Sequence, residues 1–341
     1  MAPLPETQRA WVHRSKGGVP HFTLETIPVP RPGPEEILLK VEAAGMCASD
    51  LHILDGTTPL PGEYVLGHEI VGTVAAIGSD LASEQYPEGL RLAVHGPNGC
   101  GKCANCKRGF DNQCQDPVKK WYGLGINGGY EEYVVVRPAA VVPVPSEVSS
   151  EAAAVTTDAV LSPYHAVKRG GIGPDTRVLI IGLGGLGMNG LQIASHFGAK
   201  VIATDLDTSK LAIAKQFGAQ ETFEQLPEEP LFVDVVLDFV GTKETFESAK
   251  KHASPLGKIV PVGLGATELS IVPHVSAIME HQFIFSFWGT TGELAECLDL
   301  VAKGVIQPTV ETCPLEDVKD RLHKLEKGGV KGRVVAMPSL K

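Results

Sequence analysis

The sequence predicts an α/β protein with two domains, one β-rich and the other built on a doubly wound parallel sheet. Three observations lead to this prediction. A chain of 341 residues is too long for one ordinary hydrophobic core. Before the stretch Val142-Pro143-Val144-Pro145, short apolar runs are broken by Gly and Pro, whereas strands and helices alternate after it. The 38 glycines agree with a fold that has many turns and close backbone approaches.

The two halves differ in their apolar patterns. In the first half, runs at 37–41, 70–74 and 133–136 are short and bounded by breakers, which is typical of strands. In the second half, a helix is expected over 152–168. Further strands and helices then follow in turn, with strands at 177–181, 200–204, 233–238 and 258–262 and helices at 186–197, 209–217 and 242–253. Such alternation predicts a parallel sheet with right-handed crossovers.

The composition excludes several classes of partner. The formal net charge of −10 argues against nucleic acid or an anionic membrane as the main partner. The chain has no apolar run of about 18 residues, which a membrane-spanning helix requires. Its first residues show no basic stretch followed by an apolar run, so no secretory signal is visible. We therefore expect a cytoplasmic protein with no nucleic-acid and no membrane partner.

A glycine-rich loop follows the strand at 177–181 and begins the next helix. It consists of Gly182, Leu183, Gly184, Gly185, Leu186 and Gly187. The first glycine permits a tight turn, the second lets the backbone approach a pyrophosphate, and the third allows close helix–strand packing. Asp205 lies 18 residues after Gly187, at the end of the next strand, where a carboxylate binds both ribose hydroxyls of NAD and repels the 2′-phosphate of NADP. Lys210 either reaches the same ribose or is an ordinary surface lysine.

Four cysteines lie within fifteen residues, at Cys100, Cys103, Cys106 and Cys114. Four thiolates satisfy tetrahedral zinc and leave no open position, which indicates a structural metal site. An iron–sulfur cluster with the same four ligands is the alternative. Seven cysteines without a secretory signal fit metal chemistry better than a disulfide framework.

Two further motifs carry ligands of a different kind. The stretch from Gly45 to His52 contains Cys47, Ser49, Asp50 and His52, and Gly67-His68-Glu69 follows about twenty residues later. A catalytic zinc needs about three protein ligands and one open position. Each of these residues alone is most simply a core residue. Beside a dinucleotide-binding pattern, Cys47 and His68 are better interpreted as two zinc ligands.

Taken together, these motifs resemble the zinc-containing medium-chain dehydrogenases of the alcohol dehydrogenase type. The resemblance extends over nearly the whole chain and ends at Gly332-Arg333-Val334-Val335. It implies a GroES-like catalytic domain over 1–154 and 290–341, with a structural-zinc lobe at about 96–116. A Rossmann domain that binds NAD is implied over 155–289, and each subunit is expected to hold two zinc ions.

The resemblance also implies roles for single residues. Cys47 and His68 are zinc ligands, and Asp158 is the expected third ligand because the segment after the boundary reads Thr156-Thr157-Asp158-Ala159, without a cysteine. Glu69 is an alternative ligand during exchange. Asp50 is either the partner of His68 or a helix cap.

Other residues are assigned to the proton path and the cofactor. Ser49 and His52 resemble the proton relay of the family, and Arg333 resembles an arginine that reaches the cofactor pyrophosphate. Val240 and Val262 fall where the family surrounds the nicotinamide half. The walls of the substrate pocket are expected to be largely apolar and to include Trp121, Leu124, Tyr164 and Trp288.

The predicted function is the reversible, NAD-linked oxidation of small primary or secondary alcohols, with secondary alcohols and ketones favoured by the Asp158 segment. A polyol dehydrogenase of the same family is the alternative within the enzyme class. A cofactor-binding protein without catalysis is the alternative outside it. We expect a homo-oligomer, a tetramer rather than a dimer, with the strand-like 283–285 extending a sheet across a two-fold axis.

Overall fold

The computed structural model describes residues 3–15, 20–116 and 120–340, and its chain divides into two compact units. The β-rich unit comprises Met1–Asp158, Thr290–Ala302 and Pro308–Lys341. The parallel-sheet unit comprises Ala159–Gly289 and Lys303–Gln307. The boundary between the two units follows Asp158, four residues after the domain boundary that the sequence predicts at residue 154. Among the described residues, no helix is long and apolar enough to cross a membrane.

The first segment of the β-rich unit is mainly strand. Its strands are β1 (Thr7–Ser15), β2 (His21–Pro28), β3 (Ile37–Met46), β4 (Gly62–Val65), β5 (Glu69–Ile77), β6 (Arg91–Val94), β7 (Trp121–Tyr122), β8 (Gly125–Ile126), β9 (Tyr133–Val136) and β10 (Val141–Pro143). Short helices α1 (Ala48–Leu54), α2 (Ala104–Lys107) and α3 (Ser150–Val155) separate some of them. Strands β2, β1 and β4 form one antiparallel sheet, and β7 pairs with β8.

The helix expected over 152–168 is interrupted. Helix α3 is followed by a π-helical turn, Thr156–Val160, and then by α4 (Leu161–Gly170). Pro163 lies in the first turn of α4, where it has no N–H to donate to the carbonyl of Ala159. That carbonyl instead accepts a hydrogen bond from Asn189 Nδ2 at 2.9 Å. The interruption therefore has a local cause, and it places Asp158 in the π turn, a feature that is frequent at functional sites.

The parallel-sheet unit confirms the predicted doubly wound fold. Its elements after α4 are β11 (Arg177–Ile181), α5 (Gly187–His196), β12 (Lys200–Thr204), α6 (Thr208–Gln216), β13 (Glu221–Phe223), β14 (Val233–Asp238), α7 (Lys243–His252), β15 (Ala253–Pro261), α8 (Pro273–Met279) and β16 (Gln282–Phe283). All neighbours are parallel, in the order β13-β12-β11-β14-β15-β16. Ile181 pairs with Thr204 and with Asp238, so three strands end side by side, where such folds bind nucleotides.

The last segment completes the main sheet of the β-rich unit. It contains α9 (Thr291–Ala302), β17 (Val310–Pro314), α10 (Val318–Glu326) and β18 (Arg333–Met337). The sheet order is β10-β6-β5-β3-β18-β17, and β9 also pairs with β3. Register pairs Gly45 with Glu69 and Met46 with Val334. The end of β3 therefore lies between the beginnings of β5 and β18, which is where the site is built.

Candidate active site and metal centres

The buried cluster is formed where strands β3, β5 and β18 meet. Cys47 follows the last residue of β3, Glu69 begins β5 with His68 just before it, and Arg333 begins β18. Asp158 reaches the same place from the π turn after α3. Ligand atoms of Cys47, His68, Glu69 and Asp158 all lie within 4.8 Å of one another. The structure thus brings together the residues that the sequence predicted as catalytic metal ligands.

The donor set in this cluster fits zinc. It offers one sulfur, one imidazole nitrogen and two carboxylates, all of which zinc accepts. Asp158 Oδ2 lies 3.6 Å from Cys47 Sγ and 3.7 Å from His68 Nε2, distances that suit ligands of one small ion. All four residues are buried, so a negative charge on the thiol or on either carboxyl group needs a neighbouring cation rather than water.

Asp50 organises two of the ligands. One of its oxygens, Oδ2, accepts a hydrogen bond from the Cys47 N–H at 3.0 Å and so closes the capping box at the start of α1. The other oxygen, Oδ1, lies 3.3 Å from His68 Nδ1, which leaves Nε2 to face the cluster. Both roles that the sequence left open for Asp50, helix cap and histidine partner, are present.

Arg333 lies inside the cluster, at a place that sequence reasoning did not foresee. Its Nη2 is 2.7 Å from Glu69 Oε1, 3.0 Å from Asp158 Oδ2 and 3.3 Å from Cys47 Sγ, and its Nε donates to Glu69 Oε1 at 2.9 Å. The guanidinium is thus a buried cation in contact with two carboxyl groups and a thiol. Its contact with a cofactor pyrophosphate remains a prediction.

These contacts shift the pKa values of the cluster. Burial is the strongest single influence on Cys47 and favours its neutral thiol, but Arg333 and His68 together lower the pKa of Cys47. Burial also opposes the imidazolium of His68, yet Asp50 and Asp158 raise its pKa well above the usual value. For Glu69, burial dominates and raises the pKa despite Arg333. The thiol is therefore prepared to act as a thiolate ligand.

The two residues of the predicted proton relay lie on α1. Ser49 Oγ is 3.6 Å from Cys47 Sγ, beside the cluster. His52 follows one helical turn later, on the same side of α1. It is half-buried and lines a cavity with residues of α10, among them Leu322 and His323. The hydroxyl is thus close to the metal ligands and the imidazole is further out.

The four-cysteine lobe surrounds the short helix α2. Cys100, Cys103, Cys106 and Cys114 place their sulfur atoms within 4.8 Å of one another. Backbone N–H groups point at these sulfurs, for example from Cys103 to Cys100 Sγ at 3.3 Å and from Gln115 to Cys103 Sγ at 3.4 Å. Hydrogen bonds from the N–H groups of Gln115 and Cys106 lower the pKa of Cys103 to about 6. Four thiols with this geometry fit a closed tetrahedral zinc site.

The glycine-rich loop of the parallel-sheet unit has the geometry that a pyrophosphate requires. Gly182 has a φ of +86°, and a Cβ there would come within 2.5 Å of Val240 Cγ2. At Gly187 a Cβ would come within 1.8 Å of the Gly182 carbonyl oxygen. Gly184 instead faces open space, with no protein atom within 4 Å of such a Cβ. Two glycines are therefore demanded by packing, and the third leaves room for a ligand.

Asp205 lies at the end of β12, beside the loop. Its Oδ2 accepts a hydrogen bond from the Leu183 N–H at 2.7 Å, and its Oδ1 accepts one from Asp207 at 2.9 Å. Lys210 Nζ is 3.4 Å from both oxygens. The carboxylate is thus fixed at the mouth of a cavity, and Lys210 reaches the carboxylate rather than only solvent.

That cavity has a volume of about 890 Å³ and was only partly foreseen. Gly182, Asp205 and Val240, which the sequence predicts as cofactor contacts, line it, and their contact with the cofactor stays a prediction. Sequence reasoning missed the other walls, which are Leu206, Glu224, Gln225, Leu226, Pro227, Thr242, Glu244, Thr245, Glu247, Ser248, Lys251 and His252, together with Ile181 and Thr204. They come from the ends of β11 and β12, from the segments after β12 and β13, and from helix α7 with the residue before it. No motif in the sequence marks them. Val262 is half-buried just after β15.

The remaining predicted pocket residues are distributed over both units. Trp121 and Leu124 belong to the β-rich unit, and Tyr164 and Trp288 to the parallel-sheet unit. The Tyr164 ring packs against Phe197, with ring centroids 5.9 Å apart. Their contact with substrate stays a prediction.

Comparisons with known proteins agree with this arrangement. A family model described as the alcohol dehydrogenase GroES-like domain matches residues 33–146, and one described as zinc-binding dehydrogenase matches residues 185–303. An alcohol dehydrogenase from Geobacillus stearothermophilus is 32% identical over 327 residues, covering 92% of this chain and 95% of the relative. An NAD-dependent alcohol dehydrogenase from Sulfolobus acidocaldarius is also 32% identical, over 337 residues, with 92% and 95% covered.

Solved structures show the same fold over the whole length. Acetophenone reductase from Geotrichum candidum, solved in complex with NAD, superimposes with a TM-score of 0.95 at 44% identity, covering 98% of both chains. An alcohol dehydrogenase from Aeropyrum pernix superimposes with a TM-score of 0.87 at 29% identity, covering 97% of this chain and all of that one. The similarity therefore includes both units.

Proposed function

Because the chain belongs to the zinc-containing medium-chain alcohol dehydrogenase family, we propose that it is an NAD-linked enzyme that interconverts small alcohols with aldehydes or ketones. The observation that carries this proposal is the buried cluster of Cys47, His68, Glu69 and Asp158, whose ligand atoms lie within 4.8 Å of one another. A cluster of this composition is costly to bury, and a metal ion bound beside Arg333 would offset that cost. Zinc at this site and at the four-cysteine site makes two ions per subunit.

When bound, zinc would supply a Lewis acid for the substrate hydroxyl and NAD would supply a hydride acceptor for the substrate carbon. The residues of the chain then have three tasks. Cys47, His68 and Asp158 hold the metal, with Glu69 as an alternative ligand. Ser49 receives the hydroxyl proton and His52 passes it outward. Asp50 keeps His68 in the tautomer whose Nε2 faces the metal.

Cofactor choice follows from Asp205. A fixed carboxylate at the end of β12 binds two ribose hydroxyls and repels a phosphate on the same ribose. The loop from Gly182 to Gly187 and the first turn of α5 hold the pyrophosphate through backbone N–H groups, including those of Gly185 and Leu186. Val240, Val262 and Arg333 complete the proposed cofactor site. NAD is therefore the cofactor of this proposal.

For the substrate, secondary alcohols and ketones are proposed ahead of primary alcohols. In the sequence, the segment that carries Asp158 in place of a third cysteine favours secondary alcohols and ketones. The reductase that shares 44% identity with this chain is named for acetophenone, an aryl ketone. The proposed walls, with Trp121 and Trp288, suit an apolar or aromatic substituent better than a row of hydroxyl groups.

The test measures NADH formation or consumption with a matched panel. The protein used holds two zinc ions per subunit. It is given NADH with acetophenone or aliphatic ketones, and NAD with 1-phenylethanol, primary alcohols or polyols. We expect the highest kcat/KM with the secondary alcohol and its ketone, and a strong preference over NADPH. Turnover confined to polyols would contradict the substrate class. Absence of turnover with every alcohol and ketone would contradict the function.

The assembly proposed is a homo-oligomer, a tetramer rather than a dimer. Strand β16 ends its sheet, and exposed apolar side chains lie near it in sequence, including Ile278 at 79% and Phe285 at 65% exposure. A second copy that pairs at this edge would cover them. Light scattering of the wild type and of an Ile278→Asp/Phe285→Ser variant tests this, because the variant assembly should have a lower molar mass than the wild type. A cytoplasmic location completes the proposal, because its reducing conditions protect metal-binding thiols.

A further inference from the structure

Tyr130 is the largest fully buried side chain next to the metal cluster, and the function described above does not use it. Its hydroxyl lies 2.8 Å from Asp50 Oδ2 and 3.1 Å from the carbonyl oxygen of Gly45. A phenol has one proton to donate, and the shorter contact to the carboxylate is the stronger hydrogen bond. Tyr130 therefore donates to Asp50.

Asp50 is the point at which the two ligand motifs are joined. Its Oδ2 accepts from both Tyr130 and the Cys47 N–H, while its Oδ1 faces His68 Nδ1. Two donors on one oxygen fix the rotation of the carboxylate. With that rotation fixed, Oδ1 can face only His68. Without the tyrosine donor, Oδ2 would keep the N–H of Cys47 but lose the second donor that fixes the rotation.

The ring of Tyr130 is anchored as firmly as its hydroxyl. It packs on Gly67, where a Cβ would come within 2.6 Å of ring carbon Cδ1. Backbone hydrogen bonds join the same two segments, from Gly128 to Val65 at 2.9 Å and from Tyr130 to Leu66 at 3.0 Å. The residue thus touches the backbone immediately before His68 and, through its hydroxyl, the partner of His68.

We propose that Tyr130 is a positioning residue of the metal site, whose hydroxyl orients the Asp50 carboxylate and thereby holds Cys47 and His68 in their ligating geometry. The proposal rests on the proposed zinc role of those two residues. Removal of the hydroxyl should loosen the metal without removing any ligand. Partners of metal-bound histidines typically change metal affinity by about 10–100-fold when they are altered.

The experiment compares Tyr130→Phe with Tyr122→Phe, a matched control. Tyr122 is also buried in the β-rich unit, and its hydroxyl accepts a hydrogen bond from the Arg137 N–H, away from the buried cluster. Zinc release from the intact protein to an excess of a coloured chelator is followed over time. The phase that is absent in His68→Ala belongs to the catalytic site, and the other phase belongs to the four-cysteine lobe.

We expect Tyr130→Phe to release the catalytic zinc about tenfold faster or more, with the four-cysteine phase unchanged. Tyr122→Phe should leave the catalytic phase at the wild-type rate. In an Asp50→Asn background, Tyr130→Phe should add almost nothing, because the two residues act through one contact. Turnover should fall while the KM for NAD stays constant.

Three results would overturn the proposal. They are a wild-type rate of catalytic zinc release in Tyr130→Phe, an equal acceleration in Tyr122→Phe, and additive effects of Tyr130→Phe and Asp50→Asn. Because zinc release needs no substrate, these outcomes are independent of the proposed function. A protein that turns over no alcohol yet shows the expected release pattern would refute the function and leave the role of Tyr130 intact.

Discussion

The four-cysteine lobe takes all its ligands from one stretch of fifteen residues, whereas the buried cluster takes its ligands from residues 47, 68, 69 and 158. The lobe offers four identical soft donors, three of them partly exposed, and its sulfurs accept hydrogen bonds from nearby backbone N–H groups. The cluster offers mixed donors, all buried, with Arg333 and Asp50 in contact.

The difference separates two kinds of metal site. A local loop of thiolates closes on its metal and needs little from the rest of the protein, which suits a structural role. A site assembled from distant segments depends on the sheet, on a π turn and on buried partners, and it can keep a position open for substrate. If the two sites are separate, a variant that alters one of them should leave the other unchanged.

The largest effect is expected from Cys47→Ser. Loss of a thiolate from the buried cluster should reduce zinc to one ion per subunit and lower kcat/KM by about 10³-fold, because metal activation contributes several kcal/mol. Zinc content and NADH formation are measured on the same sample. Cys313→Ser, which alters a buried thiol outside both clusters, serves as the control and should keep both values. A Cys47→Ser enzyme with two zinc ions and full activity would contradict the assignment.

Cys103→Ser should lower stability and leave catalytic activity unchanged. Loss of the lobe zinc is expected to lower the free energy of unfolding by about 4 kcal/mol if free zinc is near a thousandfold its Kd. The catalytic zinc and the activity of the folded enzyme should persist at low temperature. Thermal unfolding with and without added chelator measures the first effect. Comparable loss of activity at all temperatures would show that the two sites are not separate in function.

A third prediction concerns the oxygen ligand. Asp158→Asn keeps the shape of the side chain but removes a charge that faces Cys47, His68 and Arg333. Zinc affinity of the buried site should therefore fall by at least the roughly 10–100-fold that loss of an outer partner of a ligand costs. Asp158→Cys supplies a thiolate at the same place and should hold zinc at least as tightly as the wild type. Competition with a chelator ranks the three proteins. Equal affinity of Asp158→Asn and wild type would remove Asp158 from the ligand set.

The smallest effect is expected where the lobe meets the rest of its unit. Asp111, between Cys106 and Cys114, accepts hydrogen bonds from the N–H and the hydroxyl of Thr291 at the start of α9. Asp111→Ala should cost about 1 kcal/mol of stability, as for a lost helix cap, with zinc content unchanged. Asp80→Ala, an exposed carboxylate elsewhere in the unit, should cost less. A drop in zinc content for Asp111→Ala would mean that the lobe depends on α9.

The same contrast explains what the sequence predicted. The lobe was predictable because its ligands are close in the chain and their spacing alone defines the site. The loop at Gly182 and its partner Asp205 were predictable for a similar reason, since both lie in one strand–helix–strand unit. The doubly wound fold followed from the alternation of strands and helices, and the family from the order of the motifs.

Features that depend on long-range pairing were not predictable. Arg333 enters the buried cluster because β18 pairs with β3, with Val334 opposite Met46, and no local pattern announces that register. In the sequence, Tyr130 looks like an ordinary aromatic core residue. The structure shows that its hydroxyl lies beside Asp50. The π turn that carries Asp158 adds a residue to a helix, and only Pro163 marked that stretch as irregular.

The central claim, that the buried cluster is catalytic and the lobe structural, is tested most directly by stepwise removal of zinc. The wild-type protein is exposed to a chelator for increasing times, and zinc content and NADH formation with a secondary alcohol are measured on each sample. The His68→Ala variant, which lacks the buried site, identifies which of the two zinc ions belongs to that site. The account predicts that activity falls in proportion to the loss of that ion and does not depend on the other ion. Activity that follows the four-cysteine zinc, or that persists after the buried site is empty, would contradict it.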